Sequence, residues 1–422
     1  MQQDDACYQK YLAVLKEELV PAMGCTEPVA IAYCAALARR TLGEAPSRVE
    51  ARLSGNIIKN VKSVTVPGTG GMKGIAAAVA AGVVAGVPEK QLEVIAGLDD
   101  AQREAIRVFL ETVPVRIEAS ATERSLEVTV TVRSGDSWAS AFVADKHTHL
   151  VRLVKDGEVL YQEAEEARAT VCATEDPLTM EGIYDFATTA CLEDVQELLD
   201  RQIEYNTRIA QEGLSGEWGA GIGKVLMASG GDLSTRAKAM AAAGSDARMG
   251  GCALPVVINA GSGNQGLTVS LPVITYARAM GVSGEALYRA LLLSNLVSIH
   301  QRYGMGRLSA FCGAVCAGAA AGAGITYLKG GDYDAICHTV TNALAITSGI
   351  VCDGAKPSCA AKIAASVDAG LLGGQMVESG REFSAGDGIV SEGIENTLSN
   401  VARLGKDGMR ETDKEILRIM VE

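Results

Sequence analysis

Cysteines beside glycine-rich turns are the residues best suited to chemistry in this sequence. Cys312 lies in Gly306-Arg307-Leu308-Ser309-Ala310-Phe311-Cys312-Gly313. Cys352 and Cys359 bracket the turn Asp353-Gly354-Ala355-Lys356-Pro357-Ser358. Two thiolates flanking a Gly/Pro loop can converge on one metal centre. Cys359 is placed to open a helix through Ala360-Ala361-Lys362-Ile363, and a helix N-terminus favours a thiolate and the negative charge of a cluster. No C-x-x-C occurs, so the spacing is neither that of a zinc ribbon nor that of a ferredoxin run. Spacing alone leaves buried structural cysteine open as the other reading. That reading is preferred for Cys7, Cys34, Cys172, Cys191, Cys252 and Cys337, and for Cys316, one helical turn from Cys312.

Cys25 precedes Thr26-Glu27-Pro28, just before a helix start, a position that can lower a thiol pKa. It reads as a ligand, nucleophile or proton carrier, or as one more buried cysteine. Ser54-Gly55-Asn56-Ile57-Ile58-Lys59-Asn60 is followed by the loop Pro67-Gly68-Thr69-Gly70-Gly71-Met72-Lys73-Gly74. A glycine-rich turn beside lysines can cradle a carboxylate or phosphate, or can simply join two elements. The P-loop spacing is absent. Gly261-Ser262-Gly263-Asn264-Gln265-Gly266 sets polar backbone among apolar helices, where it needs partners that a ligand can supply. His300, Arg302 and Arg307 follow; an arginine there can pair with a substrate carboxylate or lie in solvent. His147 and His149 alternate on one strand face and read as surface residues.

These residues need elements to position them. Of 422 residues, 48% are apolar and 21% charged, as expected of a globular protein with ample core. There are 47 glycines and only 4% aromatics, so Ala, Val, Leu and Ile must fill the core. The net charge of −13 disfavours nucleic acid and anionic membrane surfaces as partners. Eleven cysteines, an odd number, behind a polar acidic N-terminus argue for a reduced, cytoplasmic protein. Leu308 to Leu328 is uncharged and long enough to span a bilayer, but Gly and Ala dominate it and it reads as a core helix. The spacing predicts helices over residues 8–40, broken at Met23–Pro28, then over 75–87 and within 89–110. Period-two alternation at Leu126–Val132 and the Asp156-Gly157 turn predict a small antiparallel β module over 111–165. From Thr174 onward the pattern is helical. The expected fold is α+β: an N-terminal helical part with glycine-rich substrate loops (1–110), the β module (111–165) and a large helical catalytic body (166–422). Helices rich in Gly and Ala support a homodimer and pack a monomer core equally well.

Taken together and in order, Gly24-Cys25-Thr26-Glu27-Pro28, Ser54-Gly55-Asn56, the Pro67 loop, Ser262-Gly263-Asn264-Gln265-Gly266, Arg307-Leu308-Ser309 with Cys312-Gly313, and Cys352-Asp353-Gly354 with Cys359 resemble the L-cysteine desulfidase family, related to the α chain of iron–sulfur L-serine dehydratases. The resemblance covers nearly the whole chain, and the segments at 312 and 352–359 are its most specific part. It implies a 4Fe–4S cluster on Cys312, Cys352 and Cys359, with Cys25 a fourth ligand at rest or an acid/base. It implies non-redox β-elimination of L-cysteine to sulfide, ammonia and pyruvate, with L-serine the alternative substrate. Cys25 would take the Cα proton, Lys59 being the alternative base. Asn56, Lys59, Thr69 and Asn264 would fix the carboxylate and amino group. The related dehydratases can end in a cysteine that reaches the cluster, whereas this sequence ends Met420-Val421-Glu422. A pyridoxal-phosphate lyase using Lys59 or Lys73 would give the same products but leaves the cysteine segments unexplained. An iron–sulfur sensor is the non-enzymatic alternative.

Overall fold

A computed structural model describes residues 1–121, 124–164, 178–282, 284–306 and 308–421. The chain opens with α1 (Ala6–Glu18), β1 (Pro21–Met23), α2 (Thr26–Leu42), β2 (Arg48–Leu53), α3 (Gly55–Val61), α4 (Gly74–Ala85) and α5 (Asp100–Thr112). Strands β3 (Val115–Ala119), β4 (Glu127–Ser134), β5 (Ser137–Ala144), β6 (Leu150–Lys155) and β7 (Glu158–Gln162) follow. The helical body holds α6 (Met180–Thr189), α7 (Gln196–Ser215), α8 (Ile222–Ser229), α9 (Leu233–Met249), the short β8 (Pro255–Val257), α10 (Gly263–Ala279) and α11 (Glu285–Met305). It ends with α12 (Gly313–Leu328), α13 (Tyr333–Thr347), α14 (Cys359–Glu378), α15 (Ile394–Arg403) and α16 (Arg410–Val421). The fold is α+β, mainly helical, with its main sheet toward the N-terminus.

That sheet has six strands in the order β3-β2-β4-β5-β6-β7. It is not confined to 111–165, and it is not purely antiparallel. β2 comes from the first segment, pairs parallel with β3 and antiparallel with β4. The reason is burial: Val49, Ala51 and Leu53 share an inner face with Val128, Val130, Val132, Ala139, Ala141 and Val143. Helix α2 covers this face, and the Cys34 thiol donates to the Ala141 carbonyl at 3.2 Å. The Asp156-Gly157 hairpin forms as its sequence requires, with φ of 48° and 91°, values that suit a tight turn matched to strand twist. Val64 and Val66 make no strand; only an isolated bridge joins Thr65 to Lys73.

The helical body is built around α12, whose residues Ala314 to Thr326 are all buried. It lies among α10, α11, α13 and α14. This is the uncharged stretch at 308–328, and among the described residues no helix is long and apolar enough to cross a membrane. Small residues permit the close packing. A Cβ on Gly322 would lie 2.5 Å from the Gly370 carbonyl oxygen of α14. A buried amide network fixes the loop before α10. Asn206 donates to the Gly266 carbonyl at 3.1 Å and accepts from the Val257 N–H at 2.9 Å, while Asn259 donates to the Asn295 carbonyl at 3.1 Å.

Glu395, at the start of α15, accepts from the Met180 N–H at 2.7 Å and pairs with His300 Nε2 at 2.9 Å. Burial would raise this carboxyl, but hydrogen bonds from His300 and Met180 bring it below its ordinary value.

Two outcomes are expected. Gly322→Ala should cost about 1–3 kcal/mol of stability by overpacking, read as a lower midpoint in urea. Glu395→Gln should cost about 0.5–1 kcal/mol at pH 7, kept small because the carboxylate is 48% exposed and screened. The folded pKa of Glu395 lies below its unfolded value of about 4.3, so this contribution is present above that pH. It is lost as pH falls through the folded value, and wild type and variant should then unfold alike.

Candidate active site

Four helices aim their N-termini into one cavity. Cys25 is the N-cap of α2, Ser262 of α10 and Cys312 of α12, and Cys359 is the first residue of α14. All four caps lack a side-chain hydrogen bond to the helix they begin or precede. Each terminus therefore presents the positive end of a helix dipole, although in α14 the Cys359 and Ala360 N–H groups donate to the Lys356 and Pro357 carbonyls and in α12 the Val315 N–H donates to the Cys312 carbonyl. Pro28 in a first helical turn would place the cap of α2 at Thr26 or Glu27. The helix instead starts a residue earlier, at Thr26, with Cys25 extended at φ −74° and ψ 132°. Pro28, which lacks an N–H, thereby falls in the first turn, where no donor is needed.

Cys312 and Cys352 are brought side by side by a bridge between Phe311 and Val351. Cys312 N–H donates to the Ile350 carbonyl at 3.1 Å, and Cys352 N–H to the Ala310 carbonyl at 2.6 Å. Gly354, at φ 96°, then turns the chain toward Cys359; a Cβ there would lie 2.5 Å from the Lys59 carbonyl oxygen of α3. All three thiols line the cavity with Cys25. Burial pushes the Cys312 thiol up to about 12, and the nearby charge of Cys352 adds to this. Burial raises Cys359 as well. Beneath the turn, Asp353 pairs with Lys356 at 2.7 Å and with Lys362, whose ammonium also donates to the Val351 carbonyl at 2.9 Å. Among the described residues no three His, Cys, Asp or Glu side chains are gathered tightly enough for a single metal ion. A cluster places each thiolate on a different iron, so it takes thiols set farther apart. Three thiols at one cavity wall, beside helix N-termini and Lys362, suit that group.

In the same cavity the Cys25 thiol donates to Glu27 Oε2 at 2.8 Å, and Asn60 Nδ2 donates to Glu27 Oε1 at 3.0 Å. Burial raises the Cys25 thiol well above its ordinary value, and the Glu27 charge adds to this. Burial would raise Glu27 too, but the charge of His147, the Cys25 hydrogen bond and Arg248 together hold it low. The pair is thus a protonated thiol on a carboxylate. Glu27 is the sole carboxylate among the described lining residues, against Lys59, His147, Arg248 and Arg302.

The cavity also gathers Asn56, Lys59 and Asn264. Asn264 accepts from the Ser245 hydroxyl at 3.0 Å. Lys59 is buried and its ammonium is paired with Asp413 of α16. Thr69 is not brought in: it is fully buried and its hydroxyl donates to the Val66 carbonyl at 2.7 Å, closing its own loop. His147 departs from its surface reading. It is buried and lines the cavity, carried there by the turn after β5, while His149 accompanies Glu163 at 2.8 Å. Arg302 lines the cavity, His300 faces Glu395, and Arg307 lies outside the described residues. Cys34, Cys252, Cys316 and Cys337 are buried, but Cys7 is exposed and Cys191 half-buried; Cys172 is outside the described residues. Sequence reading missed Glu27 as a proton partner and Arg248 altogether, and took Gln265 only as part of the Gly261–Gly266 segment. Only Glu27, two residues from Cys25, left a local signal.

Residues 89–418 match the family described as serine dehydratase alpha chain. The chain belongs to that family. Cys312, Cys352, Cys359, His147, Arg248 and Asn264 fall within the matched span, whereas Cys25, Glu27, Asn56 and Lys59 precede it. Relatives extend over the whole length. A UPF0597 protein of Desulfitobacterium hafniense is 54% identical, over 100% of this chain and 98% of its own. UPF0597 proteins of Lachnoclostridium phytofermentans and Finegoldia magna are 47% and 44% identical, each over 98% of this chain and 100% of their own. This member of the serine dehydratase alpha-chain family is therefore similar to these proteins both in the cysteine-bearing body and in the N-terminal part that brings Cys25.

Glu27→Gln should move the midpoint of Cys25 alkylation, followed peptide by peptide across pH, to lower pH. An unchanged midpoint would show that burial alone sets this thiol.

Proposed function

We propose that this family member is a β-eliminating lyase that converts L-cysteine to sulfide, ammonia and pyruvate, with a 4Fe–4S cluster on Cys312, Cys352 and Cys359. The observation that carries this reading is the meeting of those three thiols with the Cys25–Glu27 pair in a single cavity. A cluster with three protein ligands supplies an open iron as Lewis acid for the departing sulfur.

The chain's own groups handle the proton. Glu27 receives the Sγ proton of Cys25, and the resulting thiolate removes the proton from the substrate Cα. The electron pair of the broken Cα–H bond forms the Cα–Cβ double bond as the Cβ–S bond breaks and sulfide leaves with that bond's electrons. The released aminoacrylate becomes an imine, and water converts it to pyruvate and ammonia. Asn60 and Arg248 help hold the charge on Glu27 while it waits. In this reading Asn56 and Asn264, which line the cavity, orient the amino acid. Lys59 is the weaker candidate for the base, because its side chain is committed to the ion pair with Asp413. Thr69 shapes the loop beside α3 and has no direct part in this reading.

L-serine is the second reading, favoured by the family match. Anaerobic protein, assayed for iron, acid-labile sulfide, and release of sulfide and pyruvate from L-cysteine and L-serine in one sample, separates the two. Iron with sulfide from cysteine is the expected result; pyruvate from serine alone would make the chain a dehydratase, and a sample that takes up no iron would remove the cluster. Cys352→Ser should lose the cluster's visible absorbance and all turnover. A coloured, active variant would overturn the ligand assignment.

A further inference from the structure

Although its charge is felt by Glu27, Arg248 is a buried cation with no direct ion-pair partner among the described residues. It sits in the last turn of α9, is 3% exposed, and its Nε has no hydrogen-bond partner. No carboxylate among the described residues lies within ion-pair distance of it. A guanidinium buried in this way is costly unless an anion completes it. Its position is specific. It lies on the first turn of α10, where a Cβ on Gly263 would come within 2.9 Å of its Cζ. That turn has its own open donors: Ser262 gives no cap, so the N–H groups of Gly263, Asn264 and Gln265 have no partner within the helix. Gln265 is a second buried group with an unused atom, 4% exposed with Oε1 unpartnered, packed against Gly313 beside Cys312. A guanidinium fork, three backbone donors and a helix dipole together match a carboxylate.

We propose that Arg248 and the first turn of α10 bind the α-carboxylate of the substrate, so that the site takes small α-amino carboxylates and rejects the corresponding amines and amides. The identity of the substrate class rests on the lyase reading, but the carboxylate subsite does not need turnover. Arg248 also borders both reacting walls, acting electrostatically on Cys25, Glu27 and Cys359. A carboxylate anchored there leaves Cα within reach of Cys25 and directs Cβ toward the cysteine wall. Gln265 Oε1, an acceptor, suits the substrate ammonium.

The test is calorimetric titration of the iron-loaded protein with L-alanine, which has no leaving group, and with L-alaninamide. Wild type should bind L-alanine and not the amide. Arg248→Gln should weaken L-alanine binding by about 10–100-fold, and Arg248→Lys should recover part of it. Iron content, visible absorbance and thermal midpoint should stay as in wild type. Equal binding of the amide, no binding of L-alanine by wild type, or undiminished binding by Arg248→Gln would each overturn the proposal. Loss of iron from Arg248→Gln would also overturn it, assigning the guanidinium to the cluster instead. If cysteine and serine are both inert but L-alanine binding still depends on Arg248, the subsite stands and the lyase reading falls. If turnover is present and Arg248→Gln leaves KM unchanged, the reverse holds.

Discussion

Four helix N-termini meeting in a buried cavity form the constraint that organises this protein. The dipoles of α2, α10, α12 and α14 add there, and the first-turn N–H groups of α10 need acceptors. The chain carries a net charge of −13, yet this one interior place is lined by two arginines, a lysine and a histidine against a single glutamate. Such a field favours anions, which the proposed cluster, substrate carboxylate and departing sulfide all are. The acidic exterior and the electropositive interior are consistent, because the surface sets solubility while the cavity sets what can bind.

Bringing those termini together requires backbones closer than large side chains allow. Gly and Ala supply this at the α12–α14 crossing, and β-branched and alanine residues do the same where α2 meets the sheet. Scarcity of aromatics is thus part of the site's construction. The same economy explains the polar network under α10. Asn206 satisfies the backbone of Val257 and Gly266 on either side of the Gly261–Gln265 turn, and Asn259, just before that turn, is tied by its side chain to Asn295 of α11.

Much of this was written locally. The α12 core helix, the start of α14 at Cys359, the alternation of β4 and the Asp156-Gly157 hairpin follow from side-chain period, turn chemistry and charge, which act over a few residues. The grouping of Cys25, Cys312, Cys352 and Cys359 was legible through the resemblance of their flanking motifs. Thr69 shows the limit of motif reading. Its glycine-rich loop looks like a cradle, yet the hydroxyl closes the loop itself, 2.7 Å from the Val66 carbonyl.

What the sequence by itself determined is therefore the kinds of element, the helical core and the cysteine turns, because each depends on neighbours in the chain. Tertiary structure alone decided the remaining parts. β2 left its N-terminal segment to become an inner strand, since its apolar face could be buried only against β4 and α2. His147 became a cavity residue because α2 packs on β5 and the turn after that strand reaches the cavity. Arg248 became an interior cation of the cavity because α9 ends against the first turn of α10. None of these has a periodic or local signature: each is set by contacts between residues far apart in the chain, where burial and charge are decided together.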